Sequence, residues 1–485
     1  MTQRSTARRT RLLTAVTAVA AMIFGSAAPA AAAPSVPMAP YTPSAGLTAT
    51  EVTFAGAGTT LHGSVVRRAD LDMSVRHPGI VLVHGSGTGQ RVTVGQEAEV
   101  FARAGIVTLI YDKRGDYGKL HRDFSAMARD ALAGVHTLRG VPGVDPAKVG
   151  LWALSEGGWI APMAAAESSE VAFLVTIGAP GRSPLRTQAW NISNRIAAAA
   201  VSPSTARSVP AAGMRIAAGT GLFPGGDHDP VPVLSQVRQP VLAMWGELDV
   251  QVPPRESAEI FAGHLTNSPS VTIRILPHGH HAGRVTTDGF DRVGGPQVGG
   301  FRFGELLPGY GKLMTDWIAQ VTAGRPPASS ADGLPAQRID SRSIEPATWF
   351  DFAVFALLLT VLLSWPVTAV VRRLRGSRGA PVGAWPARAL VVTGLAAALG
   401  VTGYVCWVVA DQARSIGGTV LGQPVPWLLL RLLLVLALVS AVITGLTGWR
   451  RRTQLSVGHR LRLAAVTAGG LLLLPLALTA GLLQP

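Results

Sequence analysis

Residues 149–159 read Val-Gly-Leu-Trp-Ala-Leu-Ser-Glu-Gly-Gly-Trp, an apolar run that ends at a serine and two glycines. This pattern predicts a strand, a sharp turn and a helix. On such a turn the serine adopts a strained backbone conformation that exposes its hydroxyl, and the glycines allow the helix to lie close to the strand. Ser155 is therefore a candidate nucleophile, although Ala153 stands where the usual motif has glycine. The alternative is an ordinary turn in which Ser155 caps the helix.

Strand-length apolar runs alternate with helical patterns on both sides of this turn. Residues 51–54 and 60–67 are predicted to pair antiparallel, and buried strands are predicted at residues 79–83, 106–111, 171–177, 241–245 and, as the last, 271–276. Strands that alternate with helices along the chain predict an α/β fold in which a mostly parallel sheet is covered by helices. Residues 184–238 interrupt the alternation and are predicted as a small cap insertion in a domain that spans residues 49–323.

The loop His84-Gly85-Ser86-Gly87 follows the first buried strand, at the edge of the sheet where acyl-transfer enzymes place a backbone donor for the oxyanion. We nominate the N–H groups of Ser86 and Glu156 as the oxyanion hole. A phosphate-binding loop is the other interpretation of these glycines. It is disfavoured because the Gly-x-Gly-x-x-Gly spacing fails after Gly87 and no Lys-Ser/Thr pair follows.

Acidic and basic partners for Ser155 occur later in the chain, in the order Ser, Asp, His. Asp249, on the loop after a late strand, is the first choice for the acid, and Glu247 is the second. His281 is the candidate base and His280 is its competitor. A base is needed because serine is a weak nucleophile at its own pKa, and the carboxylate orients the imidazole. The three histidines of this last loop also raise a metal site, but no acidic or cysteine ligand accompanies them at metal-like spacing.

Residues 50–323 resemble the α/β-hydrolase superfamily, and within it they are similar to the secreted esterase, dienelactone hydrolase and prolyl oligopeptidase-like branch. The resemblance is carried by His84-Gly85-Ser86-Gly87, Tyr111-Asp112-Lys113-Arg114-Gly115, Leu154-Ser155-Glu156-Gly157-Gly158, Gly246-Glu247-Leu248-Asp249 and His281. It implies Ser155 as nucleophile, His281 as base, Asp249 as orienting acid and no cofactor. Gln90-Arg91 stands where relatives often have an Asp-containing segment, which is expected to alter the substrate pocket.

The chain has 485 residues, of which 48% are hydrophobic, and a formal net charge of +15. Residues 1–34 hold four arginines, residues 346–485 hold twelve against two aspartates, and the remainder balances 27 basic with 26 acidic residues. These arginines flank apolar stretches, so membrane topology explains them better than nucleic-acid binding, which we exclude. Cys406 is the one cysteine, so an intramolecular disulfide is excluded as well.

An N-terminal signal peptide is predicted for residues 1–32. Four arginines precede an apolar run at residues 12–24, and small residues at 26–33 offer cleavage sites. An uncleaved anchor is the alternative, and in both cases the next domain is exported. Residues 33–48 are rich in Pro, Ala and Ser and are predicted as a flexible tether.

Four membrane spans are predicted within residues 348–485, after a linker at residues 324–347. Apolar runs of about the 20 residues that a bilayer requires occur at residues 350–371, 390–410, 427–449 and 463–483. The loops at 372–388 and 450–462 each carry five arginines, whereas residues 411–426 carry one arginine and one aspartate. Because positive loops stay in the cytoplasm, we expect a multi-pass protein of the cell membrane whose hydrolase-like domain is extracytoplasmic.

Two classes of function are compatible with these patterns. The first is a membrane-tethered serine hydrolase that cleaves carboxylic esters or related acyl bonds through an acyl-enzyme, or its variant, a serine peptidase of the prolyl oligopeptidase-like type. The second is a weakly catalytic ectodomain that acts as a binding module for the membrane bundle. The set of Ser155, Asp249, His281 and an oxyanion loop favours the first, with a small ester or a short peptide as substrate.

Overall fold

One mixed sheet contains nine strands of the described chain. The computed structural model describes residues 40–484 except 88, 119, 299–300 and 377–381, so the predicted signal peptide and residues 33–39 of the predicted tether lie outside the described residues. The strands are β1 Leu47–Ala55, β2 Thr60–Arg68, β3 His77–Val83, β4 Val107–Tyr111, β5 Val144–Leu154, β6 Leu174–Ile177, β7 Val241–Gly246, β8 Val271–Leu276 and β9 Ser330–Ala331. Their order in the sheet is β1-β2-β4-β3-β5-β6-β7-β8-β9. β2 pairs antiparallel with β1 and β4, and the other neighbours are parallel.

Helices cover both faces of this sheet and also form the cap. They are α1 Gly95–Arg103, α2 Phe124–Arg139, α3 Gly157–Glu167, α4 Pro184–Ala198, α5 Pro203–Gly219, α6 Val231–Leu234, α7 Pro254–His264 and α8 Tyr310–Thr322. Successive side chains of β3 enter two different cores: Ile80 and Leu82 pack with α1 and α8, whereas Val81 and Val83 pack with α2, α3 and α7. Burial on both faces explains why the central strands are continuous apolar runs.

This architecture is the α/β-hydrolase fold, and the predicted fold class is confirmed. A mostly parallel sheet is covered by helices, and α4 to α6 interrupt the alternation between β6 and β7. The prediction that residues 271–276 form the last strand is wrong, because β9 adds to the sheet beside β8. Two residues are too few to show a strand pattern in the sequence. Side chains hold this strand in place, since the Val271 N–H donates to Ser329 Oγ and the Ile275 N–H donates to Asp332 Oδ2, both at 3.0 Å.

The segments on either side of the hydrolase domain make specific contacts with it. Near the start, the Tyr41 hydroxyl donates to Glu99 Oε1 at 3.1 Å and to the Gly95 carbonyl at 3.2 Å. Near the end, the buried carboxylate of Glu256 accepts from the Ser341 N–H and from the Gln337 side chain, each at 2.7 Å. Residues 337–341 therefore lie against the body of the domain.

Four helical segments after residue 348 are long and apolar enough to cross a membrane: α9 Trp349–Leu374, α10 Ala384–Ala410, α11 Val425–Arg450 and the segment Val457–Ala480. The last segment consists of α12 Val457–Leu471 and α13 Leu473–Ala480. Pro475 explains this break, because proline lacks the N–H that would bond to the Leu471 carbonyl and its ring crowds that carbonyl.

The cap helices α4 and α5 share a hydrophobic core with the bundle that these four apolar segments form. Ile192, Ile196 and Val209 of the cap belong to the same buried cluster as Leu362 and Val405 of the spans. The two parts lie close together at α5, where a Cβ on Gly213 would lie 2.5 Å from the Val405 carbonyl oxygen, so glycine is required there. The hydrolase domain therefore packs directly on the bundle in addition to its covalent connection.

Polar bonds fix the end of the bundle that contacts the cap. The Ser202 N–H donates to the Gly422 carbonyl at 2.7 Å, and Thr205 Oγ1 donates to Gln423 Oε1 at 2.6 Å. Gly422 and Gln423 belong to the loop between α10 and α11, which carries no excess of arginine. The cap therefore lies at the end of the bundle opposite to the arginine-rich loops.

Candidate active site

The turn at Ser155 has the geometry of a nucleophile elbow. β5 ends at Leu154, Ser155 has a φ of +54°, and α3 begins at Gly157. A positive φ in a residue with a side chain costs on the order of 1–3 kcal/mol, so the surrounding structure must hold it. The Ser155 N–H donates to the Ile177 carbonyl at 3.1 Å, which ties the turn to β6. Glu156, and not Ser155, occupies the N-cap position of α3, so the N-cap interpretation of Ser155 is wrong.

Small residues allow α3 to lie close to β3 and to the loop after β6. A Cβ at Gly157 would lie 2.5 Å from the Val83 carbonyl oxygen, and one at Gly158 would lie 2.4 Å from the Cβ of Ala179. Neither position accepts a side chain without a shift of the backbone. The Cβ of Ala153 is 3.3 Å from the point that a Cβ at Gly157 would occupy. Alanine at position 153 is therefore accommodated because residue 157 is glycine.

Asp249 and His281 form a buried hydrogen-bonded pair. Since the carboxylate is an acceptor, the Nδ1–H of His281 donates to Asp249 Oδ2, at 2.7 Å. The other oxygen of Asp249 accepts from the backbone N–H groups of Gln251 and Val252, at 2.8 and 2.9 Å. The carboxylate is held from both sides and in turn fixes the tautomer and orientation of the imidazole.

The other ring nitrogen of His281 is the atom that a general base would use. Nε2 is buried and has no hydrogen-bond partner among the described residues. The His281 ring lies beside Gly178, because a Cβ at Gly178 would be 2.7 Å from His281 Nδ1. The preceding residue, Ile177, accepts the hydrogen bond from the Ser155 N–H, so the ring is also close to the elbow. The pairing of β5 with β6 therefore brings Ser155 and His281 to one edge of the sheet. Hydrogen bonds between a nucleophile and its base are often long until substrate binds.

The second-choice residues lie in different surroundings. Glu247 is exposed and accepts from the His278 N–H at 3.0 Å. His280 is buried, with its Nε2 3.4 Å from Gln251 Nε2, and burial lowers its pKa to about 4, so its ring is neutral at neutral pH. Across residues 40–484, leaving aside those not described, no group of three or more His, Cys, Asp or Glu side chains is arranged to hold a metal ion.

The loop after β3 lies directly beside the elbow. A Cβ at Gly85 would be 2.9 Å from the Cβ of Ser155. Ser86 is exposed on this loop, and among the backbone hydrogen bonds of the described residues neither its N–H nor that of Glu156 is paired with a carbonyl. Two unpaired N–H groups close to a nucleophile are what an oxyanion hole requires. Ser86 and Glu156 thus stay the candidate donors.

Sequence reasoning missed a buried charge cluster around the Glu156 side chain. This carboxylate is 2.6 Å from Lys113 Nζ and 3.3 Å from Arg122 Nε, and it accepts from the Tyr117 hydroxyl at 2.8 Å. Lys113 Nζ also donates to the Gly85 carbonyl at 2.8 Å. Burial lowers the pKa of Lys113, and the charge of Glu156 opposes that shift. The available signal was the position of Lys113 two residues after the end of β4, at the edge of the sheet that carries the elbow.

Arg91 is held in place by acidic residues. The Gln90-Arg91 segment is expected to alter the substrate pocket, and the Arg91 side chain of that segment is buried in ion pairs with Glu51 at 2.7 Å and Asp112 at 3.1 Å. Its backbone N–H also donates to Asp112 Oδ1 at 2.8 Å. Arg91 therefore joins the loop after β3 to β1 and to the residue that follows β4.

A second buried ion pair anchors the loop that carries His281. Arg284 lies 2.5 Å from Glu97 of α1, and both side chains are buried. The Arg284 carbonyl accepts from the His280 N–H at 2.8 Å, so this pair is continuous with the histidine loop. Neither residue stands in a recognisable motif, which is why sequence reasoning missed the pair.

Replacing Arg284 with methionine is expected to destabilise the protein by about 3–5 kcal/mol, because the Glu97 carboxylate would stay buried without its partner. Thermal unfolding of the full-length protein in detergent measures this loss. Arg255→Met is the matched control, since its partner Glu259 is half-exposed and such a pair contributes little. An Arg284→Met protein that unfolds at the wild-type temperature would contradict this assignment.

No protein-family model matches the chain. Among curated proteins, the chain is similar to "Thiohydrolase aneE" of Aspergillus aculeatus, with 31% identity over 106 residues. The match covers 21% of this chain and 33% of the relative, so the chain spans about a third of the length of that curated protein.

Several solved structures are similar to the chain. The dienelactone hydrolase of Anabaena variabilis has 17% identity and a TM-score of 0.35, covering 58% of this chain and 100% of that one. The acylaminoacyl peptidase of Pyrococcus horikoshii has 18% identity and a TM-score of 0.37, covering 48% and 38%. A 2,6-dihydroxy-pseudo-oxynicotine hydrolase has 16% identity and a TM-score of 0.40, covering 59% and 72%. The fold assignment itself follows from the strand order and the elbow.

Proposed function

We propose that this protein is a membrane-anchored serine hydrolase that cleaves carboxylic esters or related acyl bonds. Ser155 is the nucleophile, His281 the general base and Asp249 the residue that orients it. The observation that carries the proposal is the buried Asp249–His281 pair, whose free Nε2 lies at the same sheet edge as a serine held at a φ of +54°.

Acylation begins when His281 Nε2 takes the hydroxyl proton of Ser155 while Oγ attacks the acyl carbon. The π electrons of the carbonyl move to its oxygen, and the N–H groups of Ser86 and Glu156 bind the resulting oxyanion. When the carbonyl re-forms, the bond to the leaving oxygen breaks. The imidazolium gives its proton to that oxygen, which releases an alcohol and leaves the acyl group on Ser155.

Deacylation repeats these steps with water. His281, now neutral, removes a proton from a water molecule that attacks the acyl-enzyme, and a second oxyanion forms in the same place. Its collapse breaks the bond to Ser155 Oγ, which recovers the proton from His281. The acid product leaves and the enzyme is regenerated. The Asp249 carboxylate stabilises the imidazolium in both halves of the cycle.

Thioesters are the second candidate substrates. The triad chemistry is the same with a sulfur leaving group, and the curated relative matched over 106 residues carries the name thiohydrolase. The test compares an ester, a thioester and an anilide that share one acyl group, with Ser155→Ala as the background control. We expect the ester and the thioester to be cleaved faster than the anilide. Preferential anilide cleavage would indicate a peptidase, and no turnover of any substrate would favour the binding-module alternative.

We further propose that the hydrolase domain is on the extracytoplasmic side of the membrane. The signal-peptide pattern and the arginine-rich loops each support this orientation. The contacts of the cap with Gly422 and Gln423 add support, because that loop is the one without an arginine excess. Substrates would then be compounds available outside the cytoplasm, such as cell-envelope lipids, exogenous esters or short peptides.

Fusions to a reporter that works only in the cytoplasm test this orientation. We expect a reporter fused after Ala331 to be silent, because that residue precedes the first span, and one fused after Gly379 to be active, because the arginines around it stay inside. Equal expression of the two fusions is checked by immunoblot. A cytoplasmic signal from the first fusion would contradict both the orientation and the choice of substrates.

A further inference from the structure

The Lys113 side chain connects the two segments that carry the candidate oxyanion donors. Its Nζ is 2.8 Å from the Gly85 carbonyl oxygen and 2.6 Å from Glu156 Oε1, and the side chain is 6% exposed. Nζ also lies 3.8 Å from the centre of the Tyr117 ring. The Lys113 backbone N–H donates to the Gly89 carbonyl at 2.8 Å. Backbone and side chain of Lys113 are therefore both bonded to the loop after β3.

The bond to Gly85 affects Ser86 because the Gly85 carbonyl and the Ser86 N–H belong to one peptide unit. In a trans peptide these two groups are coplanar and point in opposite directions. The described residues contain no cis peptide bond. A Gly85 oxygen held toward the buried Lys113 therefore directs the Ser86 N–H away from Lys113. Gly85 itself adjoins the elbow, since a Cβ on it would lie 2.9 Å from the Cβ of Ser155.

We infer that Lys113 is a positioning residue of the oxyanion hole, which orients the Gly85–Ser86 peptide through its bond to the Gly85 carbonyl. The inference rests on the proposed serine hydrolase function. The lysine also has an electrostatic effect, since a cation bonded to a carbonyl polarises that peptide and makes its N–H a stronger donor. The contacts of Lys113 Nζ are with Gly85, Glu156 and the Tyr117 ring, so the residue acts through the loop and not as a catalytic group.

A purely structural role for Lys113 would be to neutralise the buried Glu156 carboxylate. Arg122 separates the two roles, because its Nε is 3.3 Å from Glu156 Oε2, while its hydrogen bonds and ion pairs among the described residues do not include Gly85. Both cations would matter equally for charge balance. Only Lys113 would matter for the orientation of the Gly85–Ser86 peptide.

The test uses the full-length protein in detergent micelles, with Lys113→Met and the matched control Arg122→Met. Hydrolysis of an aryl ester gives kcat and KM. The second probe is a trifluoromethyl ketone, whose carbonyl carbon is attacked by Ser155 Oγ to give a stable oxyanion. Its affinity therefore measures how well the site binds an oxyanion. Loss of one oxyanion donor costs about 100- to 1000-fold in kcat, so a misdirected donor should lower kcat and ketone affinity by about 10- to 100-fold. The KM of Lys113→Met should change by less than about 3-fold, because the carbonyl of the bound substrate interacts only weakly with these donors before the reaction. In Arg122→Met, the ketone affinity should stay within about 3-fold of the wild-type value.

Unchanged ketone affinity in Lys113→Met, or an equal loss in both variants, would overturn the inference. If Lys113→Met does not fold, Lys113→Arg decides, because a guanidinium keeps the charge beside Glu156 but does not reproduce the contacts of a compact ammonium. Loss of ketone affinity at unchanged KM is expected there too, and wild-type affinity would again overturn the role. If the wild-type protein neither cleaves the ester nor binds the ketone, the proposed function and this inference are both overturned. If the wild-type protein is active and the Lys113 variants are unaffected, only the inference is overturned.

Discussion

Replacing Ser155 with alanine is expected to lower kcat/KM for an activated ester by at least about 1000-fold, because the members of a catalytic triad act as a unit. The fold should persist. Alanine removes only the hydroxyl, and the backbone bond from residue 155 to Ile177 does not depend on it. Ester hydrolysis and the thermal unfolding midpoint of the same preparation measure the two effects.

Ser235→Ala is the matched control for this experiment. Ser235 lies on the turn before β7, at the amino end of that strand, whereas the elbow and the histidine loop follow the carboxyl ends of β5 and β8. Its loss should leave the rate unchanged. A Ser155→Ala protein that keeps more than about a tenth of the wild-type rate would show that the elbow serine is not the nucleophile.

His281→Ala should reduce the rate about as much as Ser155→Ala, by a factor of about 1000 or more, because the hydroxyl then lacks a base. His280→Ala is expected to have a much smaller effect. Among the residues that the structure describes, the His280 ring has Gln251 as a hydrogen-bond neighbour, at 3.4 Å, and not Asp249. Rates of both variants on the same ester, with unfolding midpoints to exclude a loss of structure, provide the comparison.

The reverse ranking of the two histidines would transfer the role of base to His280. Equal losses in both variants, together with a wild type that a chelator silences and added zinc restores, would instead support a metal site. The buried bond between His281 Nδ1 and Asp249 Oδ2 leads us to expect neither outcome.

The fold was predictable because its signals are local. Strands buried on both faces, such as β3 and β7, appear in the sequence as continuous apolar runs. The elbow is equally recognisable, because its strand, its serine and its two required glycines occur within eleven consecutive residues. The order Ser, Asp, His then follows the carboxyl ends of β5, β7 and β8. In a parallel sheet these ends lie at one edge. The sequence alone therefore predicts that Ser155, Asp249 and His281 lie close together.

The contacts that support the site were not predictable because each joins residues that are distant in the chain. Lys113 and Glu156 are 43 positions apart, and Arg284 and Glu97 are 187 apart. A lone charged residue has no partner that the sequence can specify. The same limit applies to the cap, because the apolar side chains of α4 look like those of any core helix, and only the structure shows that they pack on the apolar helices after residue 348.

Mass-spectrometric mapping of a fluorophosphonate probe tests the central claim most directly, because such a probe phosphonylates a serine only where a base and an oxyanion hole activate it. We expect one adduct on the wild-type protein, on the peptide that contains Ser155, and no adduct after heat denaturation or in Ser155→Ala. A folded wild type that stays unlabelled, or an adduct on another residue that persists in Ser155→Ala, would contradict the assignment of this protein as a serine hydrolase acting through Ser155.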